Sequence, residues 1–299
     1  MEEEKVAFWL SELLQKKQEE ESWRDLCTAL LMTHEEYVDT LTMTTTMTND
    51  DNNSNYNEQL DEIRNQISMT DPSTMGPIDR PFYLGIARTI TYCFEHNKLP
   101  PNLVSNPINL LAVTNKERLN MMEEKLNTIE HSKDGLEEFL FNILTREDWR
   151  IFLHIRTTTG GNVFNAMPPS LSECIEAFTR IYEKPNAKPR RHGQPYQLSV
   201  GAKALSKHWH RDREELFWGI CTGTEKKKNE HANQILIKIL NDPVWINLHS
   251  LPHDRIVYEI RQSQGYGVRW TMDEKGASWY FRGFLEPQME DGHASKWVH

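Results

Sequence analysis

The fold is decided by residues 244–285, which read VWINLHSLPHDRIVYEIRQSQGYGVRWTMDEKGASWYFRGFL. Within this stretch Tyr258 and Ile260 alternate with Glu259 and Arg261, so the two pairs of side chains point to opposite faces of a strand. A turn sequence, DEKG, separates the last two alternating runs at residues 273–276. The pattern predicts a meander of three or four antiparallel strands.

Three helices are predicted immediately before these strands. Ser170 begins a capping box for the first helix, Ser199 caps a second that runs to about Leu216, and Thr224 caps a third with a clean apolar stripe. Helices followed by an antiparallel meander indicate the α+β class. We therefore expect residues 170–299 to form a C-terminal α+β domain, with two or three helices packed on a small antiparallel sheet.

The rest of the chain predicts a helical region. Residues 1–39 and 59–169 carry apolar side chains at helical spacing, and residues 40–58, rich in Thr, Asn and Asp, are expected to be a disordered linker. The chain has no run of eighteen apolar residues and no signal-peptide pattern at its start, so no membrane partner is expected. Its four cysteines are far apart with no CxxC pair, which is typical of reduced thiols in the cytoplasm or nucleus.

Charge and aromatic content place the functional surface in the second part of the chain. Residues 1–169 hold 15 Lys and Arg against 28 Asp and Glu, a net −13, whereas residues 170–299 hold 19 against 16, a net +3. Six of the nine tryptophans and eight of the twelve histidines also fall in residues 170–299. An acidic first part repels polyanions, so any polyanion contact must lie in the second part. The alternative is that the domain simply has an aromatic core and polar edges.

One candidate anion site is a cationic stripe on the second helix of this domain. Lys203, Lys207, His210 and Arg211 recur at spacings of three and four, with His208 beside them. Like charges at this spacing repel one another, and a bound anion would relieve that repulsion. A solvated helix face explains the same pattern.

A second candidate lies at the start of the third helix. Thr224 and Lys226 stand at a helix N-terminus, where free backbone amides and the helix dipole favour an anion. The spacing does not match the GxxxxGK[ST] nucleotide motif. Two basic segments, residues 188–191 and 226–228, make nucleic acid a possible partner.

The strands provide the remaining candidates. Arg261, Arg269 and Arg282 lie among tryptophans, and such arginines can bind a phosphate or carboxylate with two hydrogen bonds or stack on bases. Pairing of these arginines with glutamates on a solvated face is the alternative. His249 and His253 are four residues apart, and with His293 they are candidate metal ligands. Because Pro252 stands between the first two, a histidine pair in a polar turn is favoured, and no metal or cofactor is expected.

These observations leave three hypotheses open for the function. The first is a non-catalytic binding module whose C-terminal anion-binding surface takes a protein or an anionic small molecule. The second is an enzyme that acts on a phosphate- or carboxylate-bearing substrate with its His, Arg and Lys groups, and the third is a nucleic-acid-binding protein. Convergence of Lys207, His208 and His210 with the three strand arginines in one concave pocket would favour the enzyme.

Overall fold

The computed structural model describes most of the chain. The described residues are 2–44, 60–67, 76–104, 116–156, 163, 166–183, 197–211, 216–273 and 278–287. Within them the chain forms a helical region followed by helices and a four-stranded antiparallel sheet, which confirms the predicted α+β class.

The helical region packs around two long helices, α1 and α5. Val6, Leu10, Leu13 and Leu14 of α1 recur at helical spacing, and all four are buried in the core against α5. The elements are α1 (Glu3–Lys17), α2 (Arg24–Leu31), α3 (His34–Thr44), α4 (60–65), α5 (Phe82–His96), α6 (Pro101–Val104), α7 (Lys116–Thr128), α8 (Lys133–Glu138), a π-helical turn (Phe139–Ile143) and α9 (Trp149–Phe152).

Helix α3 extends into the tract predicted to be disordered. The hydroxyl of Thr33 accepts a hydrogen bond from the amide of Glu36, and the Glu36 carboxylate accepts one from the amide of Thr33. This reciprocal capping box starts the helix firmly, and the helix then continues through Thr44. Residues 40–44 are therefore helical rather than disordered, and residues 45–58 of the predicted linker lie outside the described residues.

The three predicted helix caps before the sheet are confirmed. Ser170 forms a capping box at the start of α10 (Leu171–Thr179), and Ser199 and Thr224 accept hydrogen bonds at the starts of α11 (Val200–His208) and α12 (Glu225–Leu240). Helix α11 is shorter than predicted. It ends in a 3₁₀ turn at Trp209–Arg211, and Leu216 has a left-handed φ of 52° that no helix accommodates.

The sheet has strands β1 (Pro243–Leu251), β2 (Arg255–Gln262), β3 (Gly267–Met272) and β4 (Trp279–Leu285), in that spatial order and all antiparallel. One face packs on helices α10 to α12. The Trp270 indole donates a hydrogen bond to the carbonyl of Cys174 at 3.0 Å, and the rings of Phe178 and Phe281 meet edge to face at 4.7 Å. The opposite face is therefore the one left for polar side chains, as the alternation in β2 predicts.

Residues 150–156 close the outer edge of β1. The backbone amide of Arg156 donates to Ile246 O at 3.0 Å, and its guanidinium donates to Val244 O at 3.1 Å. The Arg150 guanidinium donates to Leu248 O at 2.5 Å. The helical region thus satisfies three alternate carbonyls along the outer edge of β1, and this edge is not open to another strand.

One hydrophobic cluster runs through both parts of the chain, from Val6 of α1 to Phe284 of β4. The four cysteines are buried and free. In the part of the chain that the structure describes, no helix is both long enough and apolar enough to cross a membrane.

Candidate functional site

A row of polar residues crosses the face of the sheet opposite helices α10 to α12; its members on β1 and β2 are buried, and those on β3 and β4 reach the surface. Asn247 of β1 is the register partner of Glu259 of β2, which is the partner of Arg269 of β3, which is the partner of Gly283 of β4. Neighbouring strands are about 4.8 Å apart, so the row spans about 14 Å. We call Asn247, Glu259, Arg269 and Arg282 the polar row.

Arg282 joins the row through a β-bulge. The register shifts by one residue between Arg269 and Trp270, so Arg282 and Gly283 both lie opposite Arg269. Gly283 has a φ of +146°, a backbone conformation that L-residues rarely adopt. Burial and then the charges of Arg269 and Arg255 lower the pKa of Arg282.

Glu259 is the centre of the row. Its side chain pairs with Arg269, and its two oxygens lie 3.3 Å from His249 Nε2 and 3.8 Å from Arg261 Nε. Only 3% of Glu259 is exposed, and burial alone would raise its pKa. The hydrogen bond with His249 and the charges of Arg269 and Arg261 outweigh burial and lower the pKa to about 2. Glu259 is therefore a carboxylate at neutral pH that holds three cationic or imidazole groups in place.

His249 lies beside the row rather than in the turn where the sequence predicted it. Strand β1 continues to Leu251, so alternation turns the His249 ring toward Glu259, and only His253 lies in the turn, with a φ of +69°. The other His249 nitrogen, Nδ1, is 3.3 Å from Ser250 O. Both ring nitrogens therefore face oxygen atoms, Nε2 the Glu259 carboxylate and Nδ1 the Ser250 carbonyl.

No metal centre is formed by the described residues. His249 is engaged with Glu259, whereas His253 is exposed in the turn and His293 lies outside the described residues. In the described part of the chain, no group of three or more His, Cys, Asp and Glu side chains is placed to hold a metal ion.

The Arg261 side chain donates hydrogen bonds to backbone carbonyls. Its Nη1 atom donates to Gly265 O at 2.7 Å and to Glu286 O at 2.8 Å, and the side chain is buried. These bonds fasten the turn between β2 and β3 to the end of β4. Arg261 therefore supports the row, whereas Arg269 is only partly buried and Arg282 is exposed.

The cationic stripe of α11 lies elsewhere. This helix packs on the helical side of the sheet, with His208 buried edge to face against Trp218 at 5.0 Å between ring centroids. His208 Nε2 is also 2.8 Å from a Glu286 carboxylate oxygen. The Lys203 ammonium lies 5.3 Å from the centroid of the Tyr182 ring. His208 thus faces the core. Helical spacing alone does not say which side of a stripe is buried, so the sequence pattern did not predict this orientation.

The remaining predicted anion-binding residues are on the outer surface. Lys207, His210 and Arg211 are exposed, as are Thr224 and Lys226 at the start of α12, where Lys226 is 3.9 Å from Glu230. The structure therefore does not bring the helix candidates and the strand arginines into one concave pocket. It brings together Arg269 and Arg282, with Arg261 behind them. Residues 188–191 lie outside the described residues.

The sequence pattern missed Glu259 and Asn247 as members of this site. Alternation already put Glu259 on the same face as Arg261, and an acidic residue among three strand arginines was the available signal. The proximity of His249, Glu259 and Arg269, however, depends on the pairing of three strands, which no local motif records.

The part of the chain that contains the polar row matches a known protein family model. Residues 189–286 match the family model described as the CdiA C-terminal tRNase toxin domain. This part of the chain is similar to a tRNase toxin domain. The match covers 98 of the 299 residues and includes α11, α12 and all four strands. No curated protein and no solved structure matches the chain.

This similarity overturns the first functional hypothesis. A non-catalytic binding module is the wrong expectation, because the matched region resembles a nuclease toxin. The enzyme and nucleic-acid alternatives are closer. The error has a physical origin: the polar row is assembled from isolated residues on separate strands, and each of them alone is equally compatible with a solvated sheet face.

Proposed function

We propose that the C-terminal α+β part of this chain is a ribonuclease that acts on tRNA, with the polar row and His249 as its active site. The observation that carries this proposal is that the region similar to a tRNase toxin domain contains the whole row. The row also has the groups that cleavage of RNA requires: guanidiniums for a phosphate and an imidazole for proton transfer.

Arg269 and Arg282 are the proposed phosphate-binding residues. Two adjacent guanidiniums can donate several charge-assisted hydrogen bonds to the non-bridging oxygens of one phosphodiester. Negative charge increases on these oxygens as phosphorus becomes five-coordinate, so donors that are already fixed stabilise the transition state more than the ground state. Glu259 fixes Arg269 through their ion pair, and the bulge fixes Arg282 beside it.

His249 is the proposed proton-transfer residue. In RNA the 2′-hydroxyl can attack the adjacent phosphorus: the O2′–P bond forms, the P–O5′ bond breaks, and a 2′,3′-cyclic phosphate and a 5′-hydroxyl result. One proton leaves O2′ and one reaches O5′, and the imidazole is the group of the site suited to exchange them. Because the pKa of Glu259 is about 2, this carboxylate is a weak base. Its proposed role is to position His249.

The proposed tRNA substrate also bears on the binding partner of the chain and on the place in the cell where it acts. We propose nucleic acid as the principal partner, with residues 188–191, Lys226–Lys228 and the exposed cations of the α11 stripe as outer phosphate contacts that add affinity without sequence specificity. Cytoplasmic tRNA is the proposed target, and the similarity gives no support to the nuclear location.

Substitution of His249 tests this function. The full chain is expected to cleave tRNA and to leave 2′,3′-cyclic phosphate ends, detected by mass spectrometry. His249→Ala should lower the cleavage rate by about 10²- to 10⁴-fold, the usual contribution of a proton-transfer residue. His253→Ala, two residues beyond the end of the same strand and exposed, is the matched control and should cleave at the unchanged rate. Equal rates for the two variants would refute the assignment, and a chain that cleaves no RNA would refute the function.

A further inference from the structure

We propose that Tyr280 is a platform on which one unpaired nucleobase of the RNA stacks, next to the phosphate bound by the polar row. The inference rests on the proposed function and names the substrate class more narrowly: an RNA loop or end with an unpaired base, not a continuous duplex.

The position of Tyr280 on β4 supports this role. Its neighbours Trp279 and Phe281 are buried on the helical side of the sheet, whereas Tyr280 is 42% exposed on the other side. Tyr280 pairs with Thr271 in the register, and Arg282 follows it two residues later on the same face. Residues two apart on a strand are separated by about 6.8 Å, so the Tyr280 ring and the Arg282 side chain are neighbours on this face. A nucleotide whose phosphate binds Arg282 can therefore place a neighbouring base over the Tyr280 ring.

Arg180 strengthens the platform from the other side of the sheet edge. Its guanidinium carbon lies 5.2 Å from the centroid of the Tyr280 ring, within the range of a cation–π contact. Arg180 is exposed at the C-terminal cap of α10, outside the region similar to the toxin domain. The contact restrains the ring and adds a positive charge for the RNA backbone. Arginines flanking an exposed aromatic ring are the combination that binds single-stranded nucleic acid.

An exposed aromatic residue by itself needs no ligand. Phe8 on α1 is 62% exposed, but it belongs to the acidic helical region, where RNA would be repelled. Tyr280 differs because it shares its sheet face with Arg282, Arg269 and His249. In a duplex the bases are already stacked and paired, so only an unpaired base can reach the ring.

Binding of a non-cleavable RNA tests the platform separately from the chemistry. The full-length chain would be titrated with a fluorescent 2′-O-methyl RNA hairpin and with a blunt 2′-O-methyl duplex that has no unpaired base. Tyr280→Ala should weaken binding of the hairpin about 5- to 150-fold, the range for loss of one base–aromatic stack, and should leave binding of the duplex unchanged. Tyr280→Phe and Tyr280→Trp should keep the affinity of the unchanged chain, as should the control Phe8→Ala.

The platform is overturned if Tyr280→Ala binds the hairpin as tightly as the unchanged chain, or if it loses hairpin and duplex affinity equally. Absence of hairpin binding by the unchanged chain also overturns it. Cleavage of unmodified RNA, measured in parallel, tests the proposed ribonuclease activity independently of the platform. A chain that binds the hairpin through Tyr280 but cleaves nothing retains the platform and refutes the ribonuclease.

Discussion

Replacement of Glu259 by glutamine removes the charge at the centre of the polar row while keeping the shape of the side chain. The pKa of Glu259 falls from an ordinary 4.5 to about 2 in the folded chain. Each pKa unit is about 1.4 kcal/mol, so folding stabilises the carboxylate relative to its neutral form by about 3 kcal/mol. A glutamine resembles the neutral form, and Glu259→Gln should therefore lower the free energy of unfolding by about 3 kcal/mol at pH 7.

Urea denaturation from pH 7 to pH 2 checks both the magnitude and its origin. A carboxylate whose folded pKa is depressed stabilises the fold above its unfolded pKa, and the contribution is lost as pH falls through the folded pKa. The difference in stability between the unchanged chain and Glu259→Gln should thus be full above about pH 5 and should shrink toward zero near pH 2. Glu230→Gln, at an exposed pair with Lys226, should change stability by less than about 1 kcal/mol. A pH-independent difference, or one as small as that of the control, would refute the assignment of Glu259 as the charged centre.

Two further substitutions test the site and the edge of the sheet. Arg282→Ala should lower kcat/KM for RNA cleavage by about 10²- to 10³-fold through loss of transition-state hydrogen bonds, while the melting temperature stays unchanged because the side chain is exposed; an unchanged kcat/KM would remove Arg282 from the site. Arg150→Met leaves the Leu248 carbonyl without its donor and should cost about 1–3 kcal/mol in urea denaturation. Arg24→Met, an exposed arginine of α2, is its control, and equal stability of the two variants would show that Arg150 does not close the edge.

Features encoded by neighbouring residues were predictable from the sequence. The caps at Ser170, Ser199 and Thr224 need only a side chain and an amide three residues later, and each forms as predicted. Strand alternation likewise places Glu259 and Arg261 on one face. These elements are local, so their physical causes are visible in a few consecutive residues.

The site itself depends on strand pairing between residues that are distant in the sequence, and no local sequence pattern predicts that pairing. Glu259 meets Arg269 only because the β2–β3 turn sets that register, and a bulge that no residue pattern announced turns Arg282 to the same place. His249 was assigned to a turn because Pro252 follows closely, but the pairing of β1 with β2 carries the strand on to Leu251. His208 is turned inward to Glu286 and Trp218, a choice made by the packing of α11 and not by its spacing.

The closure of the β1 edge by residues 150–156 limits where the chain can be truncated. The region similar to the toxin domain begins at residue 189, so a fragment cut there lacks Arg150 and Arg156. Such a fragment presents the Val244, Ile246 and Leu248 carbonyls to any strand that approaches, including the same strand of a second molecule. The smallest piece that carries the polar row therefore has an open sheet edge, and a fragment that keeps this edge closed starts upstream of Arg150.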